Sequence, residues 1–459
     1  MSAPGTASPR PPRPKPGAPR PYHFPRFERR TLSNGLQLVV APVAKLPIVT
    51  VLALLDAGAA ADPGGREGVA QLTARLLLEG TVRQDGVALT NAFERLGAAA
   101  DAYADWDVAV LRLTALVDRL PAAMRLFGEV LREPAFHERE LERLKGERLS
   151  DLLQLRADPG GLAHHAMQRA FYAASSRYAR PDGGTEQSVA AITRPDVAAF
   201  YEARYRPAGL TLVVAGDIGM DEAVRLVEDT LGGWVGEPAA PARVIAEPAR
   251  RDRAVHLVHK ADAPQSELRI GHVGIPRNHP DYFPVVVMNA VLGGLFSSRI
   301  NLNLREAHGY TYGAFSGFDW RRQAGPFAVD AAVRTDATAD AVREVLSEID
   351  RMRASEIDET ERTLATSYLD GVFPIRYETT DAIASALANL VIHGLPDDWL
   401  DRYRERVRGV TTADVLAAAH EHLHAGQLQV VAVGDASVIR APLEALGIGP
   451  VLEIPAAEL

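Results

Sequence analysis

Residues 192–217, ITRPDVAAFYEARYRPAGLTLVVAGD, lie without a gap on residues 410–435, VTTADVLAAAHEHLHAGQLQVVAVGD. The overlay matches Thr193 with Thr411, Asp196 with Asp414, Val213 with Val431, and Gly216-Asp217 with Gly434-Asp435. Each copy reads as a helix, with a carboxylate at or near its N-terminus, that feeds a buried apolar strand ending in a Gly-Asp turn. A duplicated unit of helix and strand explains the match, so these shared positions are structural by default.

Working outward, the first copy closes a half that begins near residue 29. TLSNGLQLVVAP and LPIVTVLALLDAG read as strands, with Asn34-Gly35 as the turn before the first. GVAQLTARLLLEG and ALTNAFERLG have helical period, ADAYADWDVAVLRLTAL alternates like a strand pair, and amphipathic helices run from about Leu120 to Tyr172. The stretch EPAAPARVIAEPARRDR, residues 237–253, reads as a linker. Beyond it the second half restarts with strands at AVHLVHK and SELRIGHVG, helices at YFPVVVMNAVLGG and SSRINLNLREA, further strands, and four or five helices. The expected division is therefore a Pro/Arg-rich disordered tail over 1–28, domains over 29–236 and 254–459, and the linker between them.

With 459 residues and 47% hydrophobic side chains the chain can bury large cores. No run of 18 apolar residues marks a membrane span, and prolines and arginines break up the N-terminus where a secretory signal needs an apolar core. A cytoplasmic location without membrane attachment is the expectation. The absence of cysteine excludes disulfides, thiolate nucleophiles and cysteine metal sites. The net charge is −9, yet the first thirty residues hold seven Lys/Arg against one acid, so the rest is more acidic still. That argues against nucleic acid as a partner, because phosphate binding needs a basic face on the folded part.

The order of these landmarks, with SNGLQLVV, GVAQLTARLLLEGT, LRADPG after a long helix, and VVVMNAVLGGLFSSRINLNLREAHGYTYG, resembles the pitrilysin/insulinase family of zinc metallopeptidases. The likeness is to its short bacterial members and the mitochondrial processing peptidase subunits, and it covers nearly all of the chain after residue 30. It implies an α+β fold of two homologous domains, each a mostly antiparallel sheet flanked by helices, forming half of a clam-like peptidase. Active members carry H-x-x-E-H where this chain reads Gln71-Leu72-Thr73-Ala74-Arg75. That chemistry needs two imidazoles four apart on one helical face to bind Zn²⁺, and a Glu to take a proton from the metal-bound water. Gln71 is a poor zinc ligand, Ala74 cannot accept a proton, and Arg75 brings a fixed positive charge to the metal's place. The family's third ligand, a Glu, falls on Asp151, whose expected role without imidazoles is a salt bridge or hydrogen bond, with Arg75 as one partner considered. The helix itself persists because Val69, Leu72, Leu76 and Leu77 still face a core.

Two histidine-rich segments compete for attention. His420-Glu421-His422-Leu423-His424 spells H-E-x-x-H, but the repeat places it at a helix end, with little helix beyond His424 to orient ligands, so a solvated terminus is expected. His164-His165 beside a long helix is read the same way. No metal is expected in this chain; the resemblance puts zinc in a partner subunit.

What the resemblance leaves functional lies in the second half. Family members keep an Arg and a Tyr seven residues apart that contact the substrate peptide, and Arg305 and Tyr312 match that spacing. A guanidinium can hold a peptide carbonyl and a phenol can donate to backbone or oxyanion. The bland alternative pairs Arg305 with a nearby carboxylate and makes Tyr312 one of several strand aromatics. Some short bacterial members work as two different chains, one with the zinc helix and one with the Arg/Tyr pair. The compact stretch Gly293–Arg299 lacks the glycine-rich insertion of a mitochondrial α subunit. The expectation is therefore a non-catalytic, substrate-binding subunit paired with an H-x-x-E-H chain. The rivals are a structural or assembly protein that kept only the fold, and an autonomous hydrolase, for which no Ser/His/Asp constellation stands out.

Overall fold

The apolar runs marked as strands assemble into two six-stranded sheets in the computed structural model, which describes residues 21–459. The first comprises β1 (Glu28–Thr31), β2 (Gln37–Pro42), β3 (Ile48–Leu55), β4 (Ala99–Ala104), β5 (Ala109–Leu116) and β6 (Thr211–Gly216), in the order β1-β2-β6-β3-β5-β4. The second comprises β7 (Ala254–His259), β8 (Gln265–Val273), β9 (Ala314–Phe318), β10 (Pro326–Arg334), β11 (Gln429–Gly434) and β12 (Val451–Glu453), in the order β12-β7-β11-β8-β10-β9. The runs β2-β6-β3-β5-β4 and β7-β11-β8-β10-β9 share their connectivity: one parallel pairing followed by three antiparallel ones.

The sequence repeat falls at the matching place in each half. Thr193 and Thr411 are the N-caps of helices Arg194–Arg204 and Thr412–His422, and each closes a capping box with Asp196 or Asp414 at the third helical position. These helices feed β6 and β11, whose residues are buried throughout. The halves differ at the outer edge. The first sheet borrows β1 from the N-terminal side, antiparallel, whereas the second borrows β12 from the C-terminal side, parallel.

Alternation along the strands explains the burial of both faces. In the first sheet Leu38, Val51, Leu111 and Leu212 point into a core of that half's own helices. Val39, Leu52, Leu54, Val110 and Val213 point the other way, into a core built mainly by the second half. Helix Thr380–Ile392 of the second half lies on that face. There Thr50 and Thr380 share a hydroxyl hydrogen bond of 3.1 Å, and Arg112 meets Asp381 at 3.1 Å. Reciprocally, helix Pro159–Phe171 of the first half crosses the second sheet, where Ala163, Met167 and Phe171 join Val258, Val431 and Val433. The two halves thus exchange a helix each.

One expected boundary needs correction. Residues 1–20 lie outside the described part, but the tail does not extend to 28: Phe24 is 5% exposed, packing edge-on against Tyr377 as Tyr22 does against Phe373. Residues 237–253 connect the two halves as a strap that packs on the fold. Val244 is buried, and hydrogen bonds of 2.9 Å run from Ala173 N–H to the Glu247 carbonyl and from Ala249 N–H to the Phe171 carbonyl. Tyr282–Ala307, helical on both sides of a break at residues 295–298, form the one stretch among the described residues long and apolar enough to cross a membrane; 61% of its apolar window is buried inside the fold, as in a core helix.

Candidate functional site

Helix Val69–Leu76 is fixed at its start by Asp62, whose carboxylate accepts from the N–H groups of Gly68 at 2.8 Å and Ala70 at 2.9 Å. Arg177 grips the same carboxylate at 2.8 Å and lies over the Trp106 ring. Gly68 needs its lack of a side chain: its φ is 99°, and a Cβ would stand 2.8 Å from the Gly183 carbonyl. The helix buries Val69, Ala70, Leu72, Thr73, Ala74 and Leu76, leaving Gln71 and Arg75 partly open.

On that open face the two positions where the resembled motif would carry imidazoles are engaged in other pairings. Gln71 Nε2 donates to Asp182 Oδ2 at 3.0 Å, and Arg75 Nη2 meets Glu147 Oε2 at 2.6 Å. Glu147 lies on helix Glu138–Ala157, and Arg143 of the same helix also pairs with it and with Glu79. The hydrogen bond from Arg75, reinforced by Arg143, holds the Glu147 carboxyl below its ordinary range. Arg148 approaches from the same helix and donates to the Gly183 carbonyl at 3.0 Å. Two guanidinium groups therefore share this locus, a field that opposes a divalent cation. Ala74, the position of the expected base, is fully buried in the core. Asp151 is exposed and is not the partner of Arg75; Glu147, one turn earlier on the same face, takes that role, while Asp151 acts on Arg148 only through its charge.

Arg305 sits in a π-helical turn, Leu302–Ala307, and Tyr312 in the loop leading to β9. The Arg305 guanidinium stacks 4.2 Å above the Phe296 ring and stands 3.4 Å from Glu306 Oε1. Its Nη1 has no hydrogen-bond partner. Tyr312 is 93% exposed, and Phe296 and Phe315 are exposed as well. Among the described residues Tyr312 has no hydrogen-bonded or ring partner. The bland reading of the tyrosine as a packed strand aromatic therefore fails. Underneath, the segment is rigid. Arg299 forms a bidentate pair with Glu361 at 2.6 and 2.7 Å, and Asn301 Oδ1 accepts from Ala314 N–H at 3.1 Å. Phe296 was not singled out in the sequence, although its place in LGGLFSSR one residue before the two serines was the available signal. Gln71, Arg75 and Asp151 share no hydrogen bond or ion pair with Arg305 or Tyr312 among the described residues.

The histidine segments sort differently. His165 is buried with Nδ1 3.3 Å from the Leu459 carbonyl oxygen, and burial pushes it down to about 4. His164 is likewise lowered by burial. His420 is exposed, and His424 lies beyond the helix end, its N–H donating to His272 Nε2 at 3.2 Å. The H-E-x-x-H pair therefore does not converge; the middle histidine, His422, turns inward to Asp281.

The description "Insulinase (Peptidase family M16)" matches residues 39–179, and "Peptidase M16 inactive domain" matches residues 191–369. An uncharacterized zinc protease of Streptomyces coelicolor is 24% identical over 400 residues, covering 86% of this chain and 87% of its own. A probable mitochondrial-processing peptidase subunit beta of Schizosaccharomyces pombe is 26% identical over 278 residues, 59% of each chain. The crystal structure of a peptidase M16 inactive domain from Pseudomonas fluorescens superposes with a TM-score of 0.84 at 26% identity, over 89% of this chain and 98% of that one. A protease from Helicobacter pylori shares the fold, with a TM-score of 0.83 at 19% identity over 90% and 100% of the two chains. With the two matched regions spanning most of the chain and the duplicated sheets superposing end to end, the protein belongs to peptidase family M16, the insulinase family.

Proposed function

We propose that this chain is the non-catalytic, substrate-binding subunit of a heterodimeric zinc metalloendopeptidase, forming one half of a clam-like chamber with an H-x-x-E-H-bearing homologue. The observation that carries the reading is the helix face at Gln71 and Arg75, engaged by Asp182 and Glu147, with Ala74 packed into the core. No imidazole is there to bind zinc, and the carboxylates at this face are held by Gln71 and Arg75. The zinc is assigned to the partner.

Arg305 and Tyr312 are the groups assigned to the peptide. The support is an exposed phenol without a partner on the same chain segment as a partly exposed guanidinium stacked on the exposed Phe296, groups that can offer hydrogen-bond donors and apolar area to a peptide. The edge strands β4 and β9 offer unpaired backbone that an extended peptide can join. That a relative carries the name of a peptidase subunit supports partnership between chains. A purely structural or assembly role is the second reading, and the partnerless Tyr312 speaks against it.

Mixing the purified chain with an H-x-x-E-H homologue from the same source tests the proposal. Peptide cleavage is expected in the mixture above that of either chain alone, and it falls with Arg305→Ala. Cleavage by the partner that is indifferent to the added chain would exclude the subunit role.

A further inference from the structure

The peptidase position accounts for none of the histidines, and most of the buried ones are satisfied singly. One group stands apart. His279, Asp281 and His422 each offer a ligand atom, and these atoms lie within 4.8 Å of one another. His422 Nε2 is 2.8 Å from Asp281 Oδ2, and His279 Nδ1 is 3.9 Å from the same oxygen, with the two imidazoles edge to face at 4.9 Å. The residues come from distant parts of the sequence. His279 and Asp281 end the loop between β8 and helix Tyr282–Asn289, and His422 ends the repeat helix Thr412–His422, which packs on that helix.

A second observation points the same way. Asp281 occupies the N-cap position of its helix, where an aspartate ordinarily accepts from a backbone N–H of the first turn, but its side chain makes no cap bond. It turns instead toward the two imidazoles. His422 is only 5% exposed at its side chain, whereas His279 and Asp281 are 30% and 48% exposed, so one ligand is fixed and two are free to adjust. Zinc bonds of about 2.0–2.2 Å require ligand atoms about 3.3 Å apart, a rearrangement of well under a side-chain rotation from the distances seen.

We propose that His279, Asp281 and His422 form a divalent first-row metal site, with Zn²⁺ as the favoured ion. Two nitrogens and one oxygen select zinc and its transition-metal neighbours over Mg²⁺ and Ca²⁺, which demand oxygen-rich cages. Three protein ligands leave a fourth position to water. The ion fastens the start of helix Tyr282–Asn289 to the end of the repeat helix Thr412–His422. It lies in the opposite half of the chain from Gln71 and Arg75 and plays no part in the assigned peptide chemistry, so its test is separate from that of the subunit role.

The full chain, stripped by chelator and dialysed, is titrated with Co²⁺ while visible absorption is recorded, then with Zn²⁺ in competition. Saturation near one equivalent is expected, together with a melting temperature that rises on adding Zn²⁺. His279 Nδ1 now accepts the Asp281 N–H at 3.2 Å, a bond the imidazole gives up on taking a metal; His279→Asn removes the imidazole and leaves an acceptor for that N–H, so it tests ligation. It is expected to weaken binding by more than about 10-fold, the loss that even an outer-shell partner of a ligand commands. Asp281→Asn is expected to do the same, and His420→Asn to leave binding unchanged. Absence of saturable binding in the unaltered chain, or binding that survives His279→Asn, would overturn the site and reduce His422–Asp281 to an ion pair.

Discussion

Introducing Glu at position 74 puts the missing base back where the family's motif would have it, and asks whether room for it remains. Ala74 is fully buried among core side chains of the first half. Forcing four extra heavy atoms into a packed site costs about 1–3 kcal/mol in displaced neighbours. Burying a carboxyl without a partner there adds about 1–3 kcal/mol. The Ala74→Glu variant is therefore expected to lose about 2–6 kcal/mol, a large part of the ~5–15 kcal/mol that holds a typical protein folded. Gln71→His is the matched control: the side chain is only partly buried and gives up one hydrogen bond to Asp182, so about 1 kcal/mol or less is at stake. Urea unfolding followed by circular dichroism, with slopes compared to confirm a common mechanism, measures both. An Ala74→Glu chain as stable as Gln71→His would refute the argument that core packing has closed the catalytic position.

In the mixed complex, Arg305→Ala removes a charge-assisted hydrogen bond of about 1.5–3 kcal/mol and is expected to lower kcat/KM by about 10- to 150-fold. Tyr312→Phe removes a neutral one and should cost about 2- to 10-fold, with unchanged melting in both variants; since Tyr312 is 93% exposed, a folding defect in Tyr312→Phe would contradict the placement. Burial pushes the Asp107 carboxyl from 3.8 up to about 6, so the folded chain holds this proton to higher pH than the unfolded one. Its contribution is thus most favourable below pH 4 and is lost as pH rises through about 6, by on the order of 3 kcal/mol; Asp107→Asn should flatten stability across that window, and an identical pH profile would exclude the assignment. Residues 21–236 expressed alone expose the face of Val39, Leu52, Leu54, Val110 and Val213 that helix Thr380–Ile392 covers, so they should bind a hydrophobic dye and lose that binding when 237–459 is co-expressed.

The strands and helices of both halves were legible because apolar alternation and helical period survive in the sequence, and the 192–217/410–435 repeat revealed the duplication before any coordinate. The outer strands were not. ERRT of β1 and VLE of β12 are too short and too polar to show a period, and only their neighbours β2 and β7 hold them in the sheets. The helix exchange was equally hidden, because nothing local in Thr380–Ile392 or Pro159–Phe171 names the sheet that each covers. At the candidate site, spacing located Gln71, Ala74 and Arg75, but it chose Asp151 as the acidic neighbour where the helix presents Glu147. A step of one turn leaves the face unchanged, so periodicity cannot decide between them. The H-E-x-x-H pattern gives His422 no role, because it rewards a spacing of four along one helix, whereas the Asp281 partner of His422 lies 141 residues away.

The most direct measurement is peptide cleavage by the isolated chain. Supplied with excess Zn²⁺ and a mixture of unstructured peptides read out by mass spectrometry, the chain is expected to release no products beyond those of the buffer, whether or not an ion sits at His279, Asp281 and His422. Turnover that appears with the purified chain alone, and that a chelator abolishes, would contradict the claim that its helix face at residues 71–75 has no catalytic metal.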